Sequence, residues 1–521
     1  MIEYKYQNFY EAIEHNAKVS PKKPVIFIDS RKVDNLHFKR KIDTFARFLE
    51  FSGVKSADKI ALIVGNSEEF MVSLFAITKI GAVAVPINTF LKQEEFEYIL
   101  NDCEAKMLIC SPSLSKETKN LLGTTKVEKV VWTEEYDGLD ENNYSFIEIA
   151  QSMETHEQIA HPPKLDDLAC VVYTSGTTGK PKGAMLSFRN IFSNTWSGQK
   201  AFQIDEKDRF IVFLPMFHSF TLSVMVILPV MTNSSIIIVR SVFPFANVLK
   251  QALLKRATIF LGVPTLYNSL IKAKIPWYFM WFNKIRLFIS GSAPLSESVL
   301  NDFDKKFKNA TLTEGYGLSE CSPAVSVNRL DKQKPLSVGL PLDGYEVKIV
   351  NKDKVEVPTG EVGEIIIKGD CVMLGYLNRP DATDEAVKNG WLFSGDLGKT
   401  DEDGFLYIVD RKKDLIISKG INVYPREIEE VLAHYEGVDA VAVIGVKDKQ
   451  NNDEEVMAFI QPKEDTELNS LQIKKYLRTH LANFKIPNHI YFVEELPKNA
   501  IGKVLKRVLK EQVAKGEYIK S

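Results

Sequence analysis

The chain has 521 residues, 45% hydrophobic and 26% charged, the makeup of an ordinary globular protein. At roughly 150 residues per domain it holds three or four domains, or two large ones, which excludes a disordered, collagen-like or disulfide-stapled chain. Lysine and arginine number 66 against 68 acidic residues, so the net charge of −2 provides no global basic field for nucleic acid.

Cys103, Cys110, Cys170, Cys321 and Cys371 are odd in number and widely spaced. They read as reduced thiols, neither a disulfide framework nor a zinc site. The opening MIEYKYQNFYEAIEHN lacks the apolar run of a secretory signal. The most apolar windows, 220–231 and 236–239, fall short of the about 20 residues that cross a bilayer. The expectation is a cytoplasmic protein, either fully soluble or peripheral at the inner face of the membrane, and a monomer or homodimer.

In chain order, KIALIV (59–64) precedes a helical stretch at 67–81, AVAVP (82–86) precedes a helical 93–103, and AKMLIC (105–110) and EKVVW (128–132) follow. Apolar runs resume at 168–174, 210–215, 234–239, 257–260 and 285–290. Strands alternating with amphipathic helices predict layered parallel α/β sheets. After Pro335, VKIVN, GEIIIKG and FLYIVD are short strands between Gly and Asp turns, which predicts a small barrel-like β subdomain. Beyond DRKKD (410–414), helix 425–435, two strands and helix 470–482 form a small α+β unit. The expected organisation is an N-terminal domain over 1–409 with its β-rich part at 335–409, a hinge at 410–413, and a C-terminal domain over 414–521.

The most informative stretch is YTSGTTGKPKG, residues 173–183. Glycines admit close backbone approach, hydroxyls and N–H groups donate to oxyanions, and lysines neutralise phosphate. It is not a Walker loop: Thr174 stands where the first Gly belongs, and Pro181 stands where a hydroxyl should meet magnesium. The bland alternative is a polar surface loop.

This stretch resembles the signature loop of the adenylate-forming enzymes, which include acyl-CoA synthetases, luciferases and the adenylation domains of peptide synthetases. Further motifs of that family follow in order: GSAPL (291–295), EGYGLSE (314–320), SVGLPLDGYEVKI (337–349), WLFSGDLG (391–398), DRKKDLIISKGINVYPREIEE (410–430) and PKNAIGKVLKR (497–507). In motif spelling the chain is most similar to the bacterial long-chain fatty acid–CoA ligase branch. The resemblance implies a large N-terminal domain and a small C-terminal domain that rotates on a hinge. It also implies a two-step reaction. A carboxylate attacks the α-phosphate of ATP to give an acyl-adenylate and pyrophosphate, and the thiol of coenzyme A then displaces AMP.

The same resemblance assigns the residues. Thr174, Ser175, Gly176, Thr177, Thr178, Gly179 and Lys180 would cradle phosphate, and Thr174 and Glu320 would serve Mg²⁺, which prefers hard oxygen ligands. Gly291, Ser292, Ala293 and Pro294 would form one adenine wall and Tyr316 the other, on a strand with Glu314, Gly315 and Gly317. Ser319 keeps the hydroxyl of the Thr common in relatives. Asp396 would accept from the ribose hydroxyls and Arg411 would donate to ribose and phosphate, unless the two form a plain surface ion pair. Asp410 stands where Gly is commoner. Lys503 would bridge the carboxylate and α-phosphate, although beside Lys506, Arg507 and Lys510 it also reads as part of a solvated basic helix face. Lys413 marks the hinge, and Lys419 and Gly420 would flank the coenzyme A arm.

For the acid, His218 in LPMFHSF matches the place where acyl-CoA synthetases carry a His near the carboxylate, and the Asp that would select amino acids is absent. The uncharged stretch 221–231 suits an apolar tunnel or plain core, with Phe217, Val224 and Val226 as acyl-pocket candidates. The MTNSS that follows lacks the glycine usual before the next strand. Residues 271–286, IKAKIPWYFMWFNKIR, read either as an interfacial patch or as a pocket-covering helix. A medium- or long-chain fatty acid, ATP and coenzyme A are the expected substrates. The alternatives are an aromatic-acid CoA ligase, a ligase loading a carrier protein, and a non-catalytic acyl- or adenylate-binding protein.

Overall fold

The computed structural model describes residues 4–118, 120–152, 162–174, 180–418, 421–447, 454–498 and 503–518. Two large sheets carry most of the chain. The first has nine strands, in the order Leu340–Pro341, Ala324–Val327, Thr311–Gly317, Leu287–Ser290, Ile259–Gly262, Arg209–Val212, Ser235–Ile238, Pro24–Ile28 and Arg31–Asp34. Its central strands pair in parallel. Their near-continuous apolar sequences follow, because both faces of a parallel sheet are covered.

The second sheet has eight strands, in the order Gly375–Tyr376, Lys182–Ser187, Leu168–Thr174, Val83–Pro86, Lys59–Ile63, Met107–Cys110, Lys129–Trp132 and Asn143–Ser145. Side chains alternate between faces along each strand, and the core clusters follow that alternation. One cluster joins Ile26, Phe210 and Ile236 of the nine-stranded sheet to Ile60, Leu62 and Cys170 of the eight-stranded sheet. The helices Phe9–Val19, Asn35–Phe51, Glu68–Lys79 and Phe188–Ala201 fill the space between them. Opposite faces feed separate clusters, one around Phe260 and Phe288 and another around Val83 and Leu108. The architecture is thus five layered, helix–sheet–helix–sheet–helix.

A five-stranded antiparallel sheet follows, built from Glu346–Val350, Gly363–Lys368, Val387–Lys388, Trp391–Thr400 and Leu406–Arg411. The C-terminal unit packs helices Pro425–Ala433 and Ser470–His480 on the three-stranded sheet of Val438–Lys447, Glu454–Pro462 and His489–Phe492. Helix Lys506–Ala514 lies on a second small core containing Phe459.

All five cysteines are buried free thiols. Among the described residues no helix is long and apolar enough to cross a membrane.

The uncharged stretch 221–231 is helical but not uniformly so. A π-helical turn, Leu222–Ile227, lies between α-helical turns Ser219–Thr221 and Leu228–Met231. Asn233, in the MTNSS segment, takes φ +54°, so asparagine adopts the left-handed conformation that a glycine would supply.

Candidate functional site

The signature stretch begins on strand Leu168–Thr174 and returns antiparallel as Lys182–Ser187. Ser175, Gly176, Thr177, Thr178 and Gly179 lie outside the described residues, as do Lys419 and Gly420. The flanks are firmly held. The Thr174 hydroxyl donates to the Lys182 carbonyl at 3.4 Å, and the Tyr98 hydroxyl donates to the Pro181 carbonyl at 3.2 Å. Lys180 places its ammonium 5.0 Å from the Tyr98 ring centre and Lys182 lies 5.2 Å from that of Tyr376.

Sheet register brings the nucleotide candidates together. Strand Trp391–Thr400 pairs antiparallel with Leu406–Arg411 so that Asp396 faces Arg411. The buried Asp396 carboxylate forms an ion pair with Arg411, Nε lying 3.0 Å away, and accepts from the Tyr316 hydroxyl at 2.7 Å. Each carboxylate oxygen keeps a further acceptor site. Burial opposes the Arg411 charge, but Asp396 and its other neighbours hold the guanidinium above its ordinary pKa. The pair is joined to Tyr316, with the carboxylate buried and the guanidinium partly exposed.

The GSAPL loop leaves strand Leu287–Ser290 and is clamped on two sides. A Cβ at Gly291 would lie 2.7 Å from the Phe220 ring, so a larger residue there would have to displace the ring. Ser292 takes φ +69°, and the Leu295 amide donates to the buried Glu314 carboxylate at 3.1 Å. Burial pushes Glu314 up to about 7, against that amide and Arg426 of the C-terminal unit. Glu314, Gly315, Tyr316 and Gly317 share strand Thr311–Gly317. A Cβ at Gly317 would meet the Pro323 carbonyl oxygen at 2.1 Å. Ala293 and Pro294 complete the loop beside them.

Glu320 sits in the turn Ser319–Cys321, where its carboxylate accepts from the Tyr376 hydroxyl at 2.8 Å. Burial and the Glu320 charge both push the Tyr376 hydroxyl upward, so it stays a donor. The Ser319 hydroxyl lies 2.8 Å from that of Ser219, one residue after His218. Among the described residues no group of three or more His, Cys, Asp and Glu is placed to cage a metal. A Mg²⁺ that keeps waters and shares phosphate oxygens needs no such cage.

The His218 imidazole accepts at Nδ1 from the Phe220 amide at 3.4 Å. Burial, reinforced by Lys503, lowers its pKa to about 4. A neutral ring that accepts at Nδ1 carries its proton on Nε2, free to donate to an acid's oxygen. Behind it Phe217 meets Phe90 edge-on at 6.3 Å, and Val224 and Val226 are buried in the core. Lys503 remains open to solvent in a crowded cleft. Desolvation, Arg411 and Lys413 outweigh Asp396 and Asp414 and bring its ammonium down to about 8.

A model of the AMP-binding enzyme family matches residues 13–377, and one of the AMP-binding enzyme C-terminal domain matches 427–503. The chain belongs to the AMP-binding enzyme family. The long-chain-fatty-acid–CoA ligase of Salmonella typhimurium is 33% identical, covering 98% of this chain and 95% of its own. The feruloyl-CoA synthase of Amycolatopsis is also 33% identical, covering 94% of this chain and 96% of its own. ATP-bound MatB from Rhodopseudomonas palustris superposes with a TM-score of 0.88 at 30% identity over 97% of this chain and 98% of that one. The apo form of the same protein, 31% identical with the same coverage, reaches 0.77. This AMP-binding enzyme therefore superposes better on the ATP-bound structure than on the apo one.

Tyr376 lies outside the sequence motifs, and Asp410 lies within one that leaves its contacts unstated. Tyr376, in MLGYL, joins three parts: its strand pairs with Lys182–Ser187, its ring lies near Lys182 and its hydroxyl holds Glu320. Asp410 accepts from its neighbour Arg411 N at 2.7 Å and from Arg426 N at 2.9 Å. It thereby caps the start of helix Pro425–Ala433 and ties that helix to the strand bearing Arg411. The basic-face reading of Lys506 is corrected: it lies 2.7 Å from Glu429, and Glu429 and Asp410 raise its pKa against the effect of burial.

Proposed function

We propose that this AMP-binding enzyme is an acid–CoA ligase. It would consume ATP, form an acyl-adenylate and pyrophosphate, and pass the acyl group to the thiol of coenzyme A, releasing AMP. Medium- or long-chain fatty acid is the proposed acid. The observation that carries the reading is the convergence of Lys503, His218, Asp396 and Arg411 on one cleft, backed by an uncharged buried segment.

In this reading Tyr316 and the GSAPL loop hold adenine while Asp396 and Arg411 hold ribose. His218 donates from Nε2 to the acid's carboxylate, orienting it for in-line attack on the α-phosphorus. Lys503 neutralises charge gathering between carboxylate and phosphate, which preorganised groups do at little reorganisation cost. Glu320, positioned by Tyr376, and Thr174 would hold Mg²⁺, whose bound charge would offset that of the leaving pyrophosphate. The thiol then attacks the activated carbonyl, the carbonyl–phosphate bond breaks, and the thiol proton passes to solvent.

The domain division at 410–413, with Lys413 as pivot, belongs to the same proposal. Lys412 is anchored to the preceding unit, its amide donating to the Gly395 carbonyl at 2.9 Å and its ammonium to the Glu364 carboxylate at 2.8 Å. Rotation about the next residue would withdraw Lys503 and bring Lys419 and Gly420 toward the site. Gly420→Leu is expected to spare adenylation and block the thiol step, and normal coenzyme A turnover in that variant would remove Gly420 from the arm's path.

An aromatic acid is the second reading, favoured by the feruloyl-CoA synthase relative at 33% identity. The test is AMP and pyrophosphate release across acids from acetate to oleate, with benzoate and ferulate, each with and without coenzyme A. A maximum among medium or long chains that depends on coenzyme A supports the proposal. A maximum at ferulate replaces the acid, and pyrophosphate release without coenzyme A turnover replaces the acceptor.

A further inference from the structure

The outer face of the nine-stranded sheet carries a short helix, Trp277–Phe282, whose sequence WYFMWF is almost wholly aromatic. Phe279 inserts into the core cluster of that face, with Met280 packed partly against it. The other four rings point outward: Trp277 is 71% exposed, Tyr278 47%, Trp281 79% and Phe282 62%. Scattered exposed apolar residues need no explanation, but four large rings on consecutive turns form a patch that marks an interaction surface.

Charge specifies the partner. Lys272, Lys274 and Lys284 bracket the helix and are exposed. From residue 209 to residue 296 the sequence contains nine lysines and arginines and not one Asp or Glu. The neighbouring helix Phe245–Leu254, which packs beside Trp277–Phe282, carries the exposed Lys250. A second copy of this face would meet like charge. Trp and Tyr favour the depth of lipid headgroups, and basic side chains around them favour anionic lipid.

We infer that the Trp277–Phe282 helix docks this enzyme on an anionic phospholipid surface. The rings enter the interfacial layer and the three lysines meet headgroup phosphates. The inference stands independently of which acid the enzyme activates.

The full-length protein is sedimented with vesicles of phosphatidylcholine alone or mixed with phosphatidylglycerol. Wild type is expected to partition onto the mixed vesicles and to be released by salt. Trp277→Ser/Trp281→Ser and, separately, Lys272→Glu/Lys274→Glu/Lys284→Glu are each expected to lower that partition by about tenfold or more. Both variants should keep wild-type turnover of a short soluble acid, which shows that they are folded. Brominated lipid should quench tryptophan fluorescence in wild type and lose most of that effect in the double Trp variant. Absence of wild-type binding to the mixed vesicles overturns the inference, as does unchanged binding by both variants. A wild-type dimer that dissociates in the double Trp variant, without vesicle binding, also overturns it and makes a second copy the occupant.

Discussion

The Lys503 ammonium, brought down to about 8 by its crowded cleft and cationic neighbours, gives the adenylation step an alkaline limb that an ordinary lysine would not. With a pKa about 8, roughly nine-tenths of the side chains are charged at about pH 7 and only about a tenth at about pH 9. The apparent second-order rate constant for ATP reports protonation in the free enzyme. It should therefore be level near neutrality and fall about tenfold by about pH 9, because the cation is lost as pH rises. An unperturbed lysine, near about 10.4, would show almost no fall over that range. Lys503→Arg keeps a cation at all these pH values, so its limb should flatten, with a lower plateau from the altered shape. Lys503→Ala should lose on the order of 10² to 10³ in adenylation, the cost of removing a preorganised charge stabiliser. It should retain thioester formation from supplied acyl-adenylate. The assay is pyrophosphate release under limiting ATP across the pH range. A wild-type limb absent below about pH 10 would refute the reasoning, and so would a limb shared by wild type and Lys503→Arg.

Three other substitutions follow from the geometry. Tyr376→Phe removes the 2.8 Å donor to Glu320 while keeping the ring near Lys182. It should raise the magnesium needed for half-maximal pyrophosphate release by about tenfold; calorimetric titration of Mg·ATP into the protein gives a second readout, and unchanged values in both would separate Glu320 from the metal. Gly317→Ala forces a Cβ to 2.1 Å from a backbone oxygen. It should cost about 1–3 kcal/mol of stability and weaken ATP binding, with an unaltered melting temperature counting against the tight approach. Val224→Phe, at the buried π-helical turn, should shift preference toward shorter acids; an unchanged chain-length profile would make Val224 plain core.

Much of the site is legible because its chemistry requires charged or glycine residues in short motifs. Asp396 and Arg411 stand out in the sequence, and antiparallel register supplies what the sequence leaves unstated, that they face each other. Tyr376 is illegible for the opposite reason. A tyrosine in an apolar stretch has no distinguishing chemistry until pairing of Gly375–Tyr376 with Lys182–Ser187 delivers it to Glu320. Asp410 reads as a departure from glycine, yet its role is to cap a helix that begins fifteen residues later, a contact made in three dimensions. Among the elements, the alternating apolar runs mark the parallel strands well. The helices Phe9–Val19, Asn35–Phe51 and Phe188–Ala201 are less evident, because they lie between two sheets and their apolar faces are broad. The π-helical turn at Leu222–Ile227 leaves no trace in composition.

The most direct test of the two-step chemistry follows oxygen. A fatty acid labelled with ¹⁸O in both carboxylate oxygens is turned over with Mg·ATP and coenzyme A, and the nucleotide product is examined by mass spectrometry. Attack of the carboxylate on the α-phosphorus predicts AMP carrying one ¹⁸O, with unlabelled pyrophosphate. Label in inorganic phosphate, ADP as the nucleotide product, or AMP without label would contradict an acyl-adenylate on the path.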